Sequence, residues 1–361
     1  MQRSSKHRFL FYPFLLTALT VALPVSLVIA VSFGTNILPV GQVYAVVRGE
    51  LAHQVFGQPF PAAVAPGTAV HDVVWLIRLP RLVLAGAVGC CLALCGVVMQ
   101  AIVKNPLADP YVLGISSGAN LGVTVAVLLG VGHTLGGNSV GVLAFLGALV
   151  VSFAVITLAN LGGRANAIKL LLAGSALSAV CSACSNFLIY LSNAEHAASQ
   201  IIRWTMGSLA SATWQRNGVV ASAAILAALF FRSQRRVLNL MLLGDETAVT
   251  LGTDLHRFRL VYLVVTALLV GLTVYAAGII GFVGLVIPHI VRLLLGPDHR
   301  KLIPVSALGG ALFLLWCDVL CRTVVPGNEI PIGILTAFLG APVFLYLMTR
   351  RQYGFGGGRA G

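Results

Sequence analysis

Apolar stretches as long as a membrane-spanning helix recur through this chain. About 20 apolar residues carry a helix across a bilayer, and only helices and closed barrels satisfy their backbone groups inside it. Charged residues make up 9% of the 361 residues, against about 25% in a soluble domain. We therefore predict an all-α polytopic membrane protein with about ten transmembrane helices in a single domain, 1–361. The predicted spans are 9–33, 81–103, 111–131, 139–161, 168–192, 215–232, 258–276, 279–295, 302–322 and 331–349.

The basic residues predict the orientation of these spans. With the N-terminus inside, 17 of the 23 Lys and Arg residues fall on the inner side, as the positive-inside rule requires. We expect a multi-pass protein of the bacterial inner membrane, in contact with lipid, with both termini in the cytoplasm. The net charge of +13 lies in small clusters between apolar runs, so it does not predict nucleic-acid binding.

Two connections between the predicted spans are long. The outer loop, 34–80, is rich in Pro and Gly. The inner loop, 233–257, is polar, and Asp245 is predicted to cap a short helix that Gly252 ends, while Asp254 can cap a second helix. Two short helices below the membrane suggest a docking element, so 233–257 is predicted to be a cytoplasmic coupling loop.

Arg78 and Arg81 lie on the predicted outer side, at the mouth of the second span. Basic residues near short connections normally stay on the cytoplasmic side. A pair of exceptions indicates a partner that carries negative charge.

Motifs from about residue 75 to 346 resemble the FecCD family, the permease subunits of ABC importers for vitamin B12, ferric siderophores and haem. The motifs are Leu79-Pro-Arg-Leu, Gly96-Val-Val-Met-Gln, Asn105-Pro-Leu-Ala-Asp-Pro, Leu113-Gly-Ile-Ser-Ser-Gly-Ala, Leu171-Leu-Ala-Gly, Met206-Gly-Ser-Leu, Leu243-Gly-Asp, Gly281-Phe-Val-Gly-Leu-Val-Ile-Pro-His, Gly296-Pro-Asp-His-Arg and Glu329-Ile-Pro-Ile-Gly-Ile-Leu-Thr-Ala-Phe-Leu-Gly-Ala-Pro-Val-Phe.

The resemblance implies the type II ABC importer permease fold and a homodimer with the pathway on its two-fold axis. It also implies two copies of an ABC ATPase subunit and one periplasmic substrate-binding protein. None of the four lysines follows a glycine, so the chain has no Walker A motif. We expect no catalytic role for it, with ATP hydrolysis on the separate ATPase.

Family positions assign roles at both ends of the spans. Arg78, Arg81 and Arg322 would pair with glutamates of the binding protein, which fits the use of charge in docking. The alternatives are snorkelling to lipid headgroups and, for Arg322, a pair with Asp318 one helical turn away.

At the inner side, Asn105, Pro106 and Leu107 would form part of the cytoplasmic gate, where prolines stop the helix. The alternative is an ordinary proline-rich turn.

The family motif in the inner loop would contact the ATPase. A short helix in a groove is a common recognition mode, and a solvated loop is the alternative. The matching residues are Leu243, Gly244, Asp245, Glu246 and Gly252.

Haem (hemin) is the preferred cargo, followed by a ferric siderophore and then vitamin B12. Elements around Arg203 resemble the haem branch, and an outer arginine could meet haem propionates; a headgroup anchor is the alternative.

No metal or cofactor is expected on this chain, with ATP and Mg on the ATPase, and His289 is interpreted as structural. An ion-coupled secondary transporter is the alternative of another class, but it usually needs intramembrane acids, and only Asp318 and perhaps Asp109 qualify.

Overall fold

The chain folds into helices. The computed structural model describes residues 3–34, 36–57, 59–130, 139–161, 163, 165–192 and 195–350, and this part contains no strand. The helices are α1 (Arg3–Ser32), α2 (Val40–Phe56), α3 (Leu79–Val103), α4 (Ile115–Leu128), α5 (Ser139–Asn160), α6 (Ala167–Ser192), α7 (Glu195–Thr205), α8 (Trp214–Ser233), α9 (Arg235–Leu243), α10 (Asp245–Thr250), α11 (Leu255–Ala277), α12 (Val283–Leu295), α13 (His299–Thr323) and α14 (Ile332–Arg350).

Each of the ten predicted spans coincides with a helix. Six helices in the described part are long and apolar enough to cross a bilayer, and α8 with α9, bent by 60°, makes a seventh. The helices α4, α12 and α14 are apolar but shorter. The prediction of an all-α polytopic membrane protein is therefore confirmed.

Helix α3 lies at the centre of the molecule, with 83% of its apolar window buried, against 17% for α1 and α6. Small residues allow this, because helices in membranes associate through close backbone packing. A Cβ on Gly96 would overlap the carbonyl oxygen of Gly284 in α12. A Cβ on Gly89 would overlap that of Gly310 in α13. Most side chains in the apolar windows of α1 and α6 are therefore at least partly exposed on the surface of the chain.

The predicted outer loop, 34–80, is more ordered than its composition indicates. It contains α2, and a wide π-helical turn, Asp72–Arg78, joins the short helix Ala69–His71 to α3. The Gly and Pro residues that interrupt helices cluster in 57–67, after α2. The segment before them can therefore form the helix α2, which buries Val43 and Val46. The short helix α7 was not predicted either.

The inner loop, 233–257, contains the two short helices α9 and α10. Gly252 follows α10 with a φ of +79°, and Asp254 caps α11 by accepting from the His256 amide, as predicted. The prediction that Asp245 caps α10 is wrong. Gly244 is the capping residue, and the Asp245 carboxylate is bound by basic side chains instead.

Candidate functional site

The site residues fall at the two ends of α3. We call the start of α3 the Arg81 end. We call its other end the Asp245 end, because Lys104, which follows α3, lies 3.6 Å from Asp245 there. Twenty-five helical residues separate these ends by roughly 37 Å at 1.5 Å per residue.

At the Arg81 end, three arginines and two acidic residues form an arginine cluster: Arg78, Arg81, Arg322, Asp318 and Glu329. Arg81 donates to Asp318 at 2.6 Å and to the two Glu329 oxygens at 3.0 and 2.8 Å. Arg322 Nε lies 3.0 Å from Asp318 Oδ2, the predicted pair along one helical turn. Helices α3 and α13 and the connection before α14 are joined here by charge.

Arg78 has a different set of partners. Its guanidinium donates to the carbonyl oxygens of Val31, Ser32 and Asn36 at 2.8, 3.1 and 2.5 Å. The last carbonyls of a helix have no partner within the helix, so Arg78 satisfies those at the end of α1. It therefore holds α1 to α3.

The three arginines are almost fully buried, whereas the Glu329 side chain is 49% exposed. A cavity of about 370 Å³ touches all three arginines and Glu329. Arg322 Nη2 is buried there and has no hydrogen-bond partner among the residues that the structure describes. Within the described chain, the cluster thus has one guanidinium nitrogen without an acceptor, and the docking role of these arginines stays a prediction.

At the Asp245 end, Lys104 leaves α3 with a left-handed φ of +55°. Asn105 Oδ1 then accepts from the Leu107 amide at 2.9 Å, which closes a tight turn over Pro106. His289, which is 9% exposed, hydrogen-bonds the Pro106 carbonyl. This contact gives His289 a structural role in the turn. The gate role of Asn105, Pro106 and Leu107 stays a prediction.

Asp245 is tied to two elements. Arg259 of α11 donates to both of its carboxylate oxygens, at 2.8 and 3.0 Å, and Lys104 lies 3.6 Å away. Burial acts to raise the pKa of the Asp245 carboxyl, but the hydrogen bonds and charges of Arg259 and Lys104 outweigh it and hold the pKa below its ordinary value. The first residue of α10 is thereby linked to the Lys104–Leu107 turn.

The predicted coupling residues lie together on the surface. Leu243 ends α9 and is 60% exposed, and Val249 of α10 and Leu251, which follows α10, are similarly exposed. Glu246 and Gly252 are exposed too, and Gly244 is partly buried. An apolar surface next to acidic groups suits a protein partner.

Lys104 and Arg259 were missed as site residues. The sequence showed them only as members of the inner basic clusters. Nothing in the spacing of residues 104, 245 and 259 indicates that they meet, because the contact depends on how α10 folds back on α11.

An apolar cavity of about 610 Å³ lies between α7, the connection before α12, and α14. Met206, Phe282 and Phe338 line it, and the Gly333 amide of α14 donates to the Met206 carbonyl at 3.0 Å. This cavity is a candidate binding surface for an apolar ligand. Arg203 of α7 does not line it but borders a second cavity.

Asp318 and Asp109 were the acidic residues considered for an ion-coupled transporter. Asp318 is fully buried and occupied by Arg81 and Arg322. Asp109 accepts from the Tyr111 amide at 2.8 Å and caps a short turn. In the described part of the chain, no three His, Cys, Asp or Glu side chains come together as metal ligands would.

Comparison with known proteins identifies the family. A model of the FecCD transport family matches residues 22–350. The chain belongs to the FecCD transport family. The match covers the last third of α1 and every helix from α2 to α14, so this helical body is that of a transport permease.

Curated relatives and solved structures agree with this assignment. The chain is 43% identical over 291 residues to the hemin transport system permease protein HmuU of Yersinia pestis, covering 79% of this chain and 86% of the relative. It is also 43% identical over 277 residues to the vitamin B12 import system permease protein BtuC of Salmonella paratyphi A, covering 77% and 83%.

A transporter described as of the metal-chelate ABC type, in an inward-facing conformation, superposes with a TM-score of 0.75 at 31% identity, covering 94% of this chain and all of that one. PsaBC from Streptococcus pneumoniae shares the fold at a TM-score of 0.52 and 15% identity, covering 83% of this chain and 94% of that one. This FecCD chain is therefore an ABC importer permease. It is a multi-pass membrane protein with the type II fold.

Proposed function

We propose that this FecCD chain is the permease subunit of an ATP-driven importer that moves haem from the periplasm to the cytoplasm. The observation that carries the cargo is the 43% identity to a hemin permease across 79% of the chain. The apolar cavity beside α7 and α14 suits a large, mostly apolar chelate.

The working assembly is a homodimer with two ATPase subunits and one periplasmic binding protein. Helix α14 exposes Phe338, Val343 and Tyr346, so it offers an apolar face to a second copy across the pathway. The Arg81 end would face the periplasm and the Asp245 end the cytoplasm, with both termini cytoplasmic, as the basic residues predict.

Transport would couple events at the two ends of α3. The loaded binding protein would place acidic side chains at the arginine cluster, where Arg322 Nη2 has no hydrogen-bond partner in the described part of the chain. At the other end, ATP-driven movement of the ATPases would displace α9 and α10. Because Asp245 contacts Lys104, that displacement would reach the turn that holds Asn105, Pro106 and Leu107.

Vitamin B12 is the second candidate cargo, since the identity to a vitamin B12 permease is also 43%. A ferric siderophore is the third. A secondary transporter has less support, because Asp318, the most buried intramembrane acid, is held by two arginines and is not free to carry a proton.

The test is ATP-dependent uptake into proteoliposomes that contain the chain and its ATPase. The binding protein is loaded in turn with haem, a ferric siderophore or cobalamin. We expect haem uptake that needs both ATP and the binding protein. Uptake of cobalamin instead would identify vitamin B12 as the cargo. Uptake that follows a proton or sodium gradient without ATP would overturn the assignment as an ATP-driven importer.

A further inference from the structure

A second cavity, of about 360 Å³, lies at the end of α7, next to the apolar cavity. We call it the two-arginine cavity. Trp204 of α7 lines it, whereas the next residues, Thr205 and Met206, line the apolar cavity. It lies at the Arg81 end, since the Trp214 indole at the start of α8 donates to the Trp75 carbonyl at 2.9 Å. Its polar lining is Arg203, Arg216, Ser208 and Ser211, with Tyr275 beside them.

One of the two arginines is held in place. Arg216 Nη1 donates to the carbonyl and the hydroxyl oxygen of Ser211, both at 3.1 Å. Its guanidinium carbon lies 5.7 Å from the centre of the Tyr275 ring, within the range of a cation–π contact. A fixed guanidinium loses less conformational entropy when it binds a ligand.

The other arginine has no hydrogen-bond or ion-pair partner among the described residues. Arg203 is exposed, and it makes no hydrogen bond or ion pair within the described part of the chain. Ser208 Oγ accepts from the Ala210 amide at 3.2 Å, which leaves its own proton to donate. The lining is therefore rich in donors.

The charge of the cavity is unbalanced. Its lining residues, all within the described chain, include two guanidinium groups and no Asp or Glu. Arginine binds carboxylates through two parallel hydrogen bonds, a geometry that a lysine cannot offer. The cavity is smaller than the adjoining apolar cavity, so it suits a charged side arm of a ligand.

We propose that the two-arginine cavity binds a carboxylate of the cargo, with the apolar body of the cargo directed to the adjoining apolar cavity. The cargo is then a metal chelate that carries free carboxylates. This proposal rests on the proposed import function and narrows its substrate class. It adds Arg216, Ser208 and Ser211 to Arg203 as cargo contacts.

The decisive experiment measures binding without transport. The chain alone, in lipid nanodiscs, is titrated with iron protoporphyrin IX, which has two free carboxylates, or with its dimethyl ester. Quenching of the Trp204 indole, checked against Trp204→Phe, reports occupancy beside the cavity. We expect Arg203→Gln and Arg216→Gln each to weaken binding of the free acid about 10-fold or more, because each removes a charge-assisted hydrogen bond.

The matched control is Arg48→Gln, which removes an exposed arginine of α2 that does not line the cavity. It should leave binding unchanged, and the ester should bind weakly to every variant. Equal binding of acid and ester by the unmodified chain, no binding of either, or unchanged affinity in both Gln variants would overturn the proposal.

Two further measurements, of binding-protein affinity and of uptake, use the same Gln variants. One outcome is that the Gln variants bind the free acid normally but bind cargo-free binding protein about 10-fold or more weakly. In that case the two arginines bind a carboxylate of the binding protein and not one of the cargo, and the proposal fails. If the importer takes up no chelate while the binding pattern holds, the proposed function fails and the site stands. If both variants take up the free acid at the unmodified rate, the site fails and the importer stands.

Discussion

Asp318 is the residue on which the Arg81 end depends. It is fully buried, and it is the carboxylate shared by Arg81 and Arg322. Removing one partner of a buried ion pair leaves a charge without compensation, which costs more than the pair contributes when intact. The arginines at this end therefore serve the fold as well as any docking partner.

We expect Asp318→Asn to lower the free energy of unfolding by about 3–5 kcal/mol, because it leaves two buried guanidinium groups with weaker acceptors. The measurement is thermal unfolding of the purified protein in detergent. Glu329→Gln is the matched control, since Glu329 also binds Arg81 but is half exposed, and it should cost about 1 kcal/mol or less. Equal unfolding temperatures for Asp318→Asn and the unmodified protein would contradict this role.

At the scale of elements, the close contacts of α3 set the packing. Glycine is required at Gly96, where the backbone of α12 is so near that a methyl group would overlap the Gly284 carbonyl. Gly86 lies on the same helix, but its nearest neighbour would be 4.0 Å from an added Cβ. A comparison of alanine substitutions at these two positions therefore separates the packing requirement at Gly96 from the general effect of alanine in a helix.

We expect Gly96→Ala to lower the free energy of unfolding by about 1–3 kcal/mol, because α3 and α12 must move apart. Gly86→Ala should be neutral or slightly stabilising, since alanine favours a helix more than glycine does. Thermal unfolding of the two variants side by side tests this. A Gly96→Ala protein as stable as the Gly86→Ala protein would show that the helices are not packed this closely.

Much of the element list follows from the sequence, because a span is defined by its length and apolar content. Helix α2 was missed since it is shorter than a span and adjoins a segment rich in Pro and Gly. The partners of the site residues could not be predicted. Arg81 meets Asp318 across 237 residues, and only the fold brings them together. Only the pair of Arg322 with Asp318 was local enough to predict.

At the scale of the whole molecule, the two ends of α3 are proposed to take different partners. The apolar surface at the Asp245 end is formed by Leu243, Val249 and Leu251. Exposed apolar groups outside the lipid-facing surface mark protein contacts. This surface is continuous with Asp245 and hence with the turn after Lys104.

We expect Leu243→Asp to abolish co-purification of the ATPase subunit, because a buried charge in the contact is costly. Folding should be preserved, since the side chain is exposed in the isolated chain. Val55→Asp places the same charge on exposed α2, far from the Asp245 end, and should leave the ATPase bound. Retention of the ATPase by Leu243→Asp at the level of the Val55→Asp control would refute this contact.

The long separation between Arg81 and its carboxylates also affects biogenesis. Arg78 finds its partners in α1, which is made before it, but Arg81 needs Asp318, made 237 residues later. At about 5–20 residues per second, that interval lasts roughly 12–50 s of synthesis. During that time α3 has entered the membrane with an arginine that must reach water or headgroups, as long basic side chains do. The contact of α3 with α13 through Arg81 and Asp318 can form only after α13 has been made, so the centre of the molecule is completed only then.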